Sequence, residues 1–406
     1  MLRICLLFIA VTIVAGRRSP NHAYIEELIA NRTTGYRTLN MLELALLDVP
    51  DLIRYNGYPA ESHLVVTSDG YILEAHRIPH GRSGPSPNRP AVLLMHGLMS
   101  SSADYILMGP EKTLGYLLAD QGYDVWLGNA RGNYYSRRHV TLDPDSDLAF
   151  WKYSFDEIGN YDLPAYIDHI LKVTQQSKLH YIGHSQGGTT FLVLTSMRPE
   201  YNKKIRSFQG LAPASYFTHS ESEMLKTIAP YETIIETVAF SLGIREMMPR
   251  KCNEPSSSIG SKIEYAICTA VKPGAATKVS EEYQPLVAAH TPAGASIRQF
   301  RHFAQSISKD TFRRLDLDPI SNLLRYGSFE PPQYTLSKIS VPTYLHYGLA
   351  DDLVNHNDVK KLASKIPNAV LNEMADPEFD HVDFLWHPNV IELLYKDMFK
   401  IMNKYN

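Results

Sequence analysis

The residues best suited to chemistry in this chain form the sequence Gly-His-Ser-Gln-Gly at 183–187. A short apolar run at 179–184 leads into it, and residues 188–197 have the pattern of a helix. A tight turn between a buried strand and a helix exposes its serine, and the helix N-terminus favours the negative charge that develops during attack. We therefore predict that Ser185 is a nucleophile. The alternative is an ordinary serine in a glycine-rich turn.

A serine nucleophile needs hydrogen-bond donors for the negative charge on the oxygen of the attacked carbonyl. In strand–turn–helix sites one donor is the N–H of the residue after the serine, here Gln186. The second comes from the loop after an earlier strand. The apolar run 91–97 passes into such a loop at Leu98, so we predict that the Leu98 N–H is the second donor. A simple strand-ending turn is the alternative.

A serine hydroxyl also needs a base to take its proton and a carboxylate to orient that base. Asp351 and Asp352 follow the late strand-like run 341–348, and the pattern alone leaves both open as the acid. His381 stands in a loop ahead of the final predicted helix and is the expected base. His184 occupies the sharp turn itself, and we interpret it as a packing residue.

Short apolar runs alternate with helical patterns through most of the chain, which predicts an α/β fold with a parallel sheet covered on both faces. A hairpin is predicted around Asp69-Gly70, between the runs 62–68 and 71–78. The later predicted strands are 91–97, 124–130, 179–185, 206–213, 341–348 and 369–374. Helices are predicted at 111–121, 160–174, 188–197, 356–366 and from about residue 389.

This alternation stops at about residue 215 and resumes near residue 320. The intervening residues contain helical apolar stretches such as 233–244 and no clean strand. We therefore predict one α/β core in two parts, 17–214 and 321–406, with a mainly helical insertion at 215–320.

The composition is that of an ordinary globular protein, with 44% hydrophobic and 20% charged residues among 406. The net charge of -3 gives no reason to expect nucleic acid as a partner. Three further late histidines show no metal-ligand spacing, namely His346, His356 and His387. We expect neither a metal nor a cofactor.

The first residues, 1–16, have the layout of a secretory signal peptide, with Arg3 ahead of an apolar run and small residues at a plausible cleavage point. A membrane anchor is the alternative, but the run is short against the roughly 20 residues that span a bilayer. No later segment is apolar for long enough to span. Export would place Cys252 and Cys268 in an oxidising compartment, which favours a disulfide over two free thiols. It would also make the sequon at Asn31 usable for glycosylation.

Long segments of this chain, in the same order along the sequence, resemble the acid lipase family, which includes gastric lipase, lysosomal acid lipase and their insect relatives. The resemblance spans nearly all of the chain after the predicted signal peptide. The matching segments are 48–73, 93–110, 117–144, 155–168, 181–205, HTPAGAS at 290–296, YGLADDLV at 347–354 and DHVDF at 380–384.

The resemblance implies the α/β-hydrolase fold and a catalytic triad of Ser185, Asp351 and His381. Family members carry Gly-x-x-Asp-x-Leu at the acid, which selects Asp351 over Asp352. The resemblance also supports Leu98 and Gln186 as oxyanion donors. The resemblance further implies that the insertion at 215–320 is a cap and lid. Asp380 stands where the family usually has Asn before the histidine, which places a negative charge beside the base.

A second departure lies after the acid, where the family's Leu-Ala-Asp-Pro is Leu-Val-Asn-His at 353–356. The implied protein is a secreted lipase that cleaves neutral lipid at a lipid–water interface, in an extracellular space or digestive lumen, with the lysosome as the other destination. Two alternatives stay open. One is a carboxylesterase of the same fold with a soluble substrate, and the other is a lipid carrier without catalysis.

Overall fold

A computed structural model describes residues 40–249 and 279–406 of the chain. The predicted signal peptide at 1–16, the sequon at Asn31 and the cysteine pair Cys252 and Cys268 all lie outside these residues. They therefore stay predictions.

Eight strands form one sheet, in the spatial order β1-β2-β4-β3-β5-β6-β9-β10. A separate pair, β7 and β8, has only two residues in each strand. In chain order the strands are β1 (Glu61–Val66), β2 (Ile72–Ile78), β3 (Ala91–Met95), β4 (Asp124–Leu127), β5 (Leu179–His184), β6 (Ile205–Leu211), β7 (Glu246–Met247), β8 (Ala295–Ser296), β9 (Thr343–Tyr347) and β10 (Ala369–Glu373).

The sheet is mostly parallel, as the sequence predicted. Strands β1 and β2 form the expected antiparallel hairpin, and β2 also runs antiparallel to β4. Every other neighbouring pair of the large sheet is parallel. All residues of β3, β4 and β5 are buried, because helices cover both faces of a parallel sheet.

Helices connect the strands and recur through the described part of the region between β6 and β9. They are α1 (Met41–Leu44), α2 (Val49–Tyr55), α3 (Leu114–Asp120), α4 (Phe155–Glu157), α5 (Leu163–Thr174), α6 (Gln186–Met197), α7 (Glu223–Ile228), α8 (Ile235–Ser241), α9 (Gln284–His290), α10 (Ile297–Lys309), α11 (Pro319–Tyr326), α12 (His356–Ala363), α13 (Asp383–Trp386) and α14 (Lys396–Asn403). Two π-helical segments, Ile158–Asp162 and Ile391–Tyr395, lead into α5 and α14.

Some element bounds differ from the sequence prediction, and at the end of β4 the reason is that backbone N–H groups donate hydrogen bonds to side chains. Strand β4 ends at Leu127 rather than at residue 130. The N–H of Asn129 donates to the Tyr166 hydroxyl at 3.1 Å, and the N–H of Arg131 donates to Asp162 at 3.0 Å, so neither joins a neighbouring strand. Helix α6 begins at Gln186, two residues before the predicted start.

The region between β6 and β9 contains the two-residue strands β7 and β8, which the sequence analysis did not anticipate. Two residues are too few to show the alternation that marks a strand. Within this region α8 is fixed to α10 by ion pairs, because Glu236 bonds Arg298 and Arg301, each at 2.7 Å. Helix α10 is thereby held against α8.

The described residues include no helix with both the length and the apolar character needed to cross a bilayer.

Burial determines how the stability of this fold should respond to acid. Burial lowers the pKa of a set of histidines to about 4 or about 3, against an ordinary value near 6.5. The values are about 4 for His96, His169 and His180, and about 3 for His184, His302 and His346. Between pH 6.5 and 4 the unfolded chain therefore binds protons that the folded protein does not.

We predict that the free energy of unfolding falls as the pH is lowered from 6.5 to 4. Burial raises the pKa of Asp104 to about 7 and that of Asp162 to about 6, which opposes this trend with fewer groups. Urea denaturation at a series of pH values measures the slope. A free energy of unfolding that stays constant or rises over this interval would contradict the prediction.

Candidate active site

Ser185 occupies a strained turn between β5 and α6. Its φ of 51° and ψ of -119° lie in a region that residues with side chains rarely adopt. The turn is held on both sides, since Ser185 N–H donates to Leu211 O and Gly188 N–H donates to Ser185 O, both at 2.9 Å. The serine is 7% exposed and borders a cavity. The predicted strand–turn–helix context is therefore present.

Glycines are required around this turn because neighbouring backbone lies too close for a side chain. A Cβ at Gly187 would lie 2.1 Å from the carbonyl oxygen of Met95, at the end of β3. A Cβ at Gly183 would lie 2.5 Å from the carbonyl carbon of Gly187. The absence of side chains lets the N-terminus of α6 pack directly on the strand that leads to Leu98.

Asp351 and His381 are directly bonded. Asp351 Oδ2 accepts a hydrogen bond from His381 Nδ1 at 2.9 Å. Asp351 Oδ1 accepts two more, from the N–H groups of Leu353 at 3.0 Å and Val354 at 2.8 Å. The Asp351 carboxyl is fully buried, whereas Asp352 is exposed. Of the tandem aspartates, only Asp351 reaches His381.

The loop that carries the acid lies directly against the loop that carries the histidine. The N–H of Ala350 donates to Phe379 O at 3.2 Å. A Cβ at Gly348 would lie 2.1 Å from that same carbonyl oxygen, so this approach requires glycine. The Gly-x-x-Asp pattern in the sequence thus reflects the close contact of two loops.

His184 supports the histidine loop from the other side. Its Nε2 lies 2.8 Å from His381 O, and because a carbonyl only accepts, His184 Nε2 carries the proton. Burial lowers the pKa of His184 to about 3, so the ring is neutral. This agrees with its interpretation as a packing residue, but the sequence did not reveal that it bonds the backbone of His381.

Asp380 directs its carboxylate toward backbone amides. Its Oδ1 accepts hydrogen bonds from the N–H groups of Val382 at 3.0 Å and Asp383 at 3.3 Å. Asp380 N–H in turn donates to Asp383 Oδ2 at 2.8 Å. The charge that the sequence placed beside the base is therefore used to fix the turn that follows His381.

Gln186 directly follows Ser185, and Leu98 belongs to a loop that lies close to Ser185. Gln186 is the first residue of α6, so its N–H has no acceptor within the helix. Leu98 lines the same cavity as Ser185. Its loop is anchored by Met99, whose carbonyl accepts from the N–H of Ala293 at 2.6 Å. A Cβ at Gly97 would lie 3.3 Å from Ser185 Cβ, which shows how close this loop is to the serine.

The cavity beside Ser185 and His381 has a volume of about 200 Å³ and a largely apolar wall. Residues of the segment between β6 and β9 supply much of that wall, including Phe217, Leu225, Ile228, Phe300 and Phe303. The α13 region adds Leu385 and Trp386. Three polar wall residues that the sequence did not single out are Ser100, Asp104 and Thr291. The sequence signal for them was their position within the segments 93–110 and 290–296, which resemble the acid lipase family.

The other late histidines do not form a metal centre. His346 is buried with its Nε2 at 2.9 Å from Gln209 Oε1, and His387 Nε2 lies 3.5 Å from Asp376. His356 begins α12. Within residues 40–249 and 279–406, no group of three or more His, Cys, Asp or Glu side chains is arranged to hold a metal ion.

Comparisons with known proteins agree with this fold. Residues 49–109 match the family described as a partial alpha/beta-hydrolase lipase region, and residues 90–244 match the alpha/beta hydrolase fold. Lipase 3 of Drosophila melanogaster is 40% identical over 374 residues, covering 88% of this chain and 93% of that protein. Gastric triacylglycerol lipase of Homo sapiens is 35% identical over 377 residues, covering 88% and 91%.

Among solved structures, a soluble variant of monoglyceride lipase from Saccharomyces cerevisiae superposes with a TM-score of 0.51. It is 16% identical and covers 84% of this chain and 96% of that one, a likeness that concerns the fold alone. The resemblance to acid lipases seen in the sequence is confirmed by the relatives of higher identity. The chain belongs to the α/β-hydrolase lipase family and is a hydrolase of the lipase type.

Proposed function

We propose that this protein is a secreted serine ester hydrolase that cleaves neutral lipid esters such as triacylglycerols at a lipid–water interface. Ser185 is the nucleophile, His381 the base and Asp351 the acid. The observation that carries the proposal is the 2.9 Å hydrogen bond between Asp351 and His381, beside the cavity that the strained Ser185 borders. The names of the relatives support triacylglycerol as the substrate.

The proton positions follow from the acceptors. A carboxylate only accepts, so His381 Nδ1 carries a proton and His381 Nε2 is left as the base. His381 Nε2 takes the hydroxyl proton as Ser185 Oγ attacks the ester carbonyl, and then gives that proton to the departing alcohol. Water, deprotonated by His381, releases the fatty acid from the acyl-enzyme. Asp351 fixes the tautomer and stabilises the charged imidazolium.

The N–H groups of Leu98 and Gln186 are the proposed oxyanion donors. Both sit on rigid backbone, one at the start of α6 and the other on the loop anchored to Ala293. Donors that are already oriented need no rearrangement as charge develops, and one such donor is worth roughly 3–4 kcal/mol of barrier. No metal or cofactor takes part in this scheme.

Residues 215–320 are proposed as a cap and lid over the core formed by 17–214 and 321–406. The apolar side chains that this segment contributes to the cavity, among them Phe300 and Phe303, suit the acyl chain of a lipid ester. Cleavage after residue 16, glycosylation at Asn31 and a Cys252–Cys268 disulfide complete the proposal. The destination is an extracellular or digestive lumen, with the lysosome as the alternative.

A prediction on activity concerns the nucleophile. Ser185→Ala removes the attacking oxygen, so hydrolysis of emulsified long-chain triacylglycerol should fall by at least about 10⁴-fold. Ser196→Ala is a matched control, because Ser196 is a buried serine of α6, the helix that follows Ser185, and among the described residues its hydroxyl bonds only the Val193 carbonyl. Titration of released fatty acid at pH 4–8 measures both variants.

Three outcomes of that assay are informative. Cleavage of short soluble esters without activity on long-chain lipid would replace the lipase with a carboxylesterase. Lack of any hydrolysis by folded wild-type protein would favour the lipid carrier. Full activity of Ser185→Ala would contradict the assignment of the nucleophile.

A further prediction on activity uses the tandem aspartates. Asp351→Asn cannot hold His381 in the required tautomer, so kcat should fall by about 10³- to 10⁴-fold. Asp352→Asn changes the same side chain one residue away at an exposed site and should stay within about twofold of wild type. Equal losses in the two variants would refute Asp351 as the acid.

A further inference from the structure

Besides Ser185, His184 and His381, the polar side chains of the cavity wall are Ser100, Asp104 and Thr291, and none of these three takes part in the proposed chemistry. Asp104 is 2% exposed, and its Oδ1 accepts a hydrogen bond from Ser100 Oγ. No other described residue bonds its carboxyl group. Thr291 Oγ1 is enclosed and has no hydrogen-bond partner among residues 40–249 and 279–406. Both residues line the cavity that Ser185 and His381 border.

Unused hydrogen-bonding groups in an apolar cavity indicate a missing polar partner. Buried polar groups in folded proteins are nearly always bonded, because leaving one unpaired is costly. Burial raises the pKa of Asp104 to about 7, so below neutrality its carboxyl group is protonated and can both donate and accept. An uncharged carboxyl group and a hydroxyl match a neutral hydroxyl group better than an ion.

Asp104 and Thr291 belong to segments near the loop that carries the proposed oxyanion donor Leu98. Ser100, which bonds Asp104, is two residues along the chain from the proposed oxyanion donor Leu98, a span of less than about 8 Å. The residue between them, Met99, accepts from the N–H of Ala293, which is two residues from Thr291. Asp104 and Thr291 thus both belong to segments that contact the oxyanion loop. A ligand hydroxyl that bonds them lies in the same cavity as the ester carbonyl that Ser185 is proposed to attack.

We propose that Asp104 and Thr291 form a subsite for a free hydroxyl of the lipid ester, carried on the alcohol beside the scissile bond. Among the neutral lipid esters that the site cleaves, partial glycerides with at least one unesterified glycerol hydroxyl are then preferred over triacylglycerols and over esters of a wholly apolar alcohol. This inference rests on the function proposed above and specifies the substrate of the same site.

The site would discriminate between esters because an apolar alcohol offers no hydrogen-bond partner to Asp104 and Thr291. A glycerol hydroxyl can donate to the Asp104 carboxyl group and accept from the Thr291 hydroxyl. An alkyl group in the same place would leave both side chains desolvated without a partner. Sites built to bond a hydroxyl reject analogues that lack it for this reason.

The test compares kcat/KM for monooleoylglycerol and propyl oleate in neutral detergent micelles. The two esters share the acyl chain and the number of alcohol carbons and differ only in hydroxyl groups. We expect the wild type to favour monooleoylglycerol by at least about tenfold, and Asp104→Leu to reduce that ratio by about tenfold. Thr291→Val should reduce it in the same direction, and Asp104→Asn should preserve most of it because an amide still donates and accepts.

The ratio of kcat/KM for monooleoylglycerol to kcat/KM for propyl oleate separates loss of hydroxyl recognition from damage to the fold. A variant that merely disturbs the cavity lowers hydrolysis of both esters together and leaves the ratio unchanged, which would overturn the proposal. Ser196→Ala is the control, and it gives this ratio for a variant with an unrelated change at a buried position. If Asp104→Leu does not fold, Thr291→Val and Asp104→Asn still decide the question.

A further substrate distinguishes a hydroxyl on the alcohol from one on the acyl chain. Propyl esters of a hydroxylated C18 acid should gain nothing over propyl oleate. A preference for those esters that Asp104→Leu removes, without any for monooleoylglycerol, would move the hydroxyl to the acyl chain and overturn the glyceride assignment. Lack of hydrolysis of every ester by folded wild type would instead refute the proposed function itself.

Discussion

The strained backbone at Ser185 is the constraint on which the rest of the site depends. A positive φ at a residue with a side chain persists only where the surroundings leave no alternative. Here those surroundings are the packing of Gly187 on the end of β3 and the bond from Ser185 N–H to Leu211 at the end of β6. The turn directs the serine to the cavity and starts α6 beside it, so the position of one side chain depends on three parallel strands.

The parallel sheet explains why residues far apart in sequence meet. The carboxyl ends of β3, β5 and β9 lie at one edge of the sheet and deliver the loops of Leu98, Ser185 and Asp351, while His381 arrives from the loop after β10. Bonds between these loops fix their spacing. The most direct are Asp351 to His381 and His184 to the backbone of His381. The region between β6 and β9 then encloses the apolar cavity.

Some features of the fold and of the candidate site were predictable from the sequence, and others were not. The Ser185 motif and the alternation of strands and helices were visible because they are local. The choice between Asp351 and Asp352 was open from pattern alone, since it depends on which carboxyl group the His381 loop reaches. The contact of Gly348 with Phe379 and the cavity position of Asp104 were not predictable, because both arise from tertiary packing of separate segments. The strands β7 and β8 were too short to leave any period.

The strained turn and the Asp351–His381 pair are proposed to act together in making Ser185 a reactive nucleophile. Labelling of the full chain with an alkyl fluorophosphonate, followed by peptide mass spectrometry, tests this without any assumption about the substrate. We expect one adduct, on Ser185, that forms far more slowly in His381→Gln. An adduct on another residue, or labelling of Ser185 at an unchanged rate in His381→Gln, would contradict it.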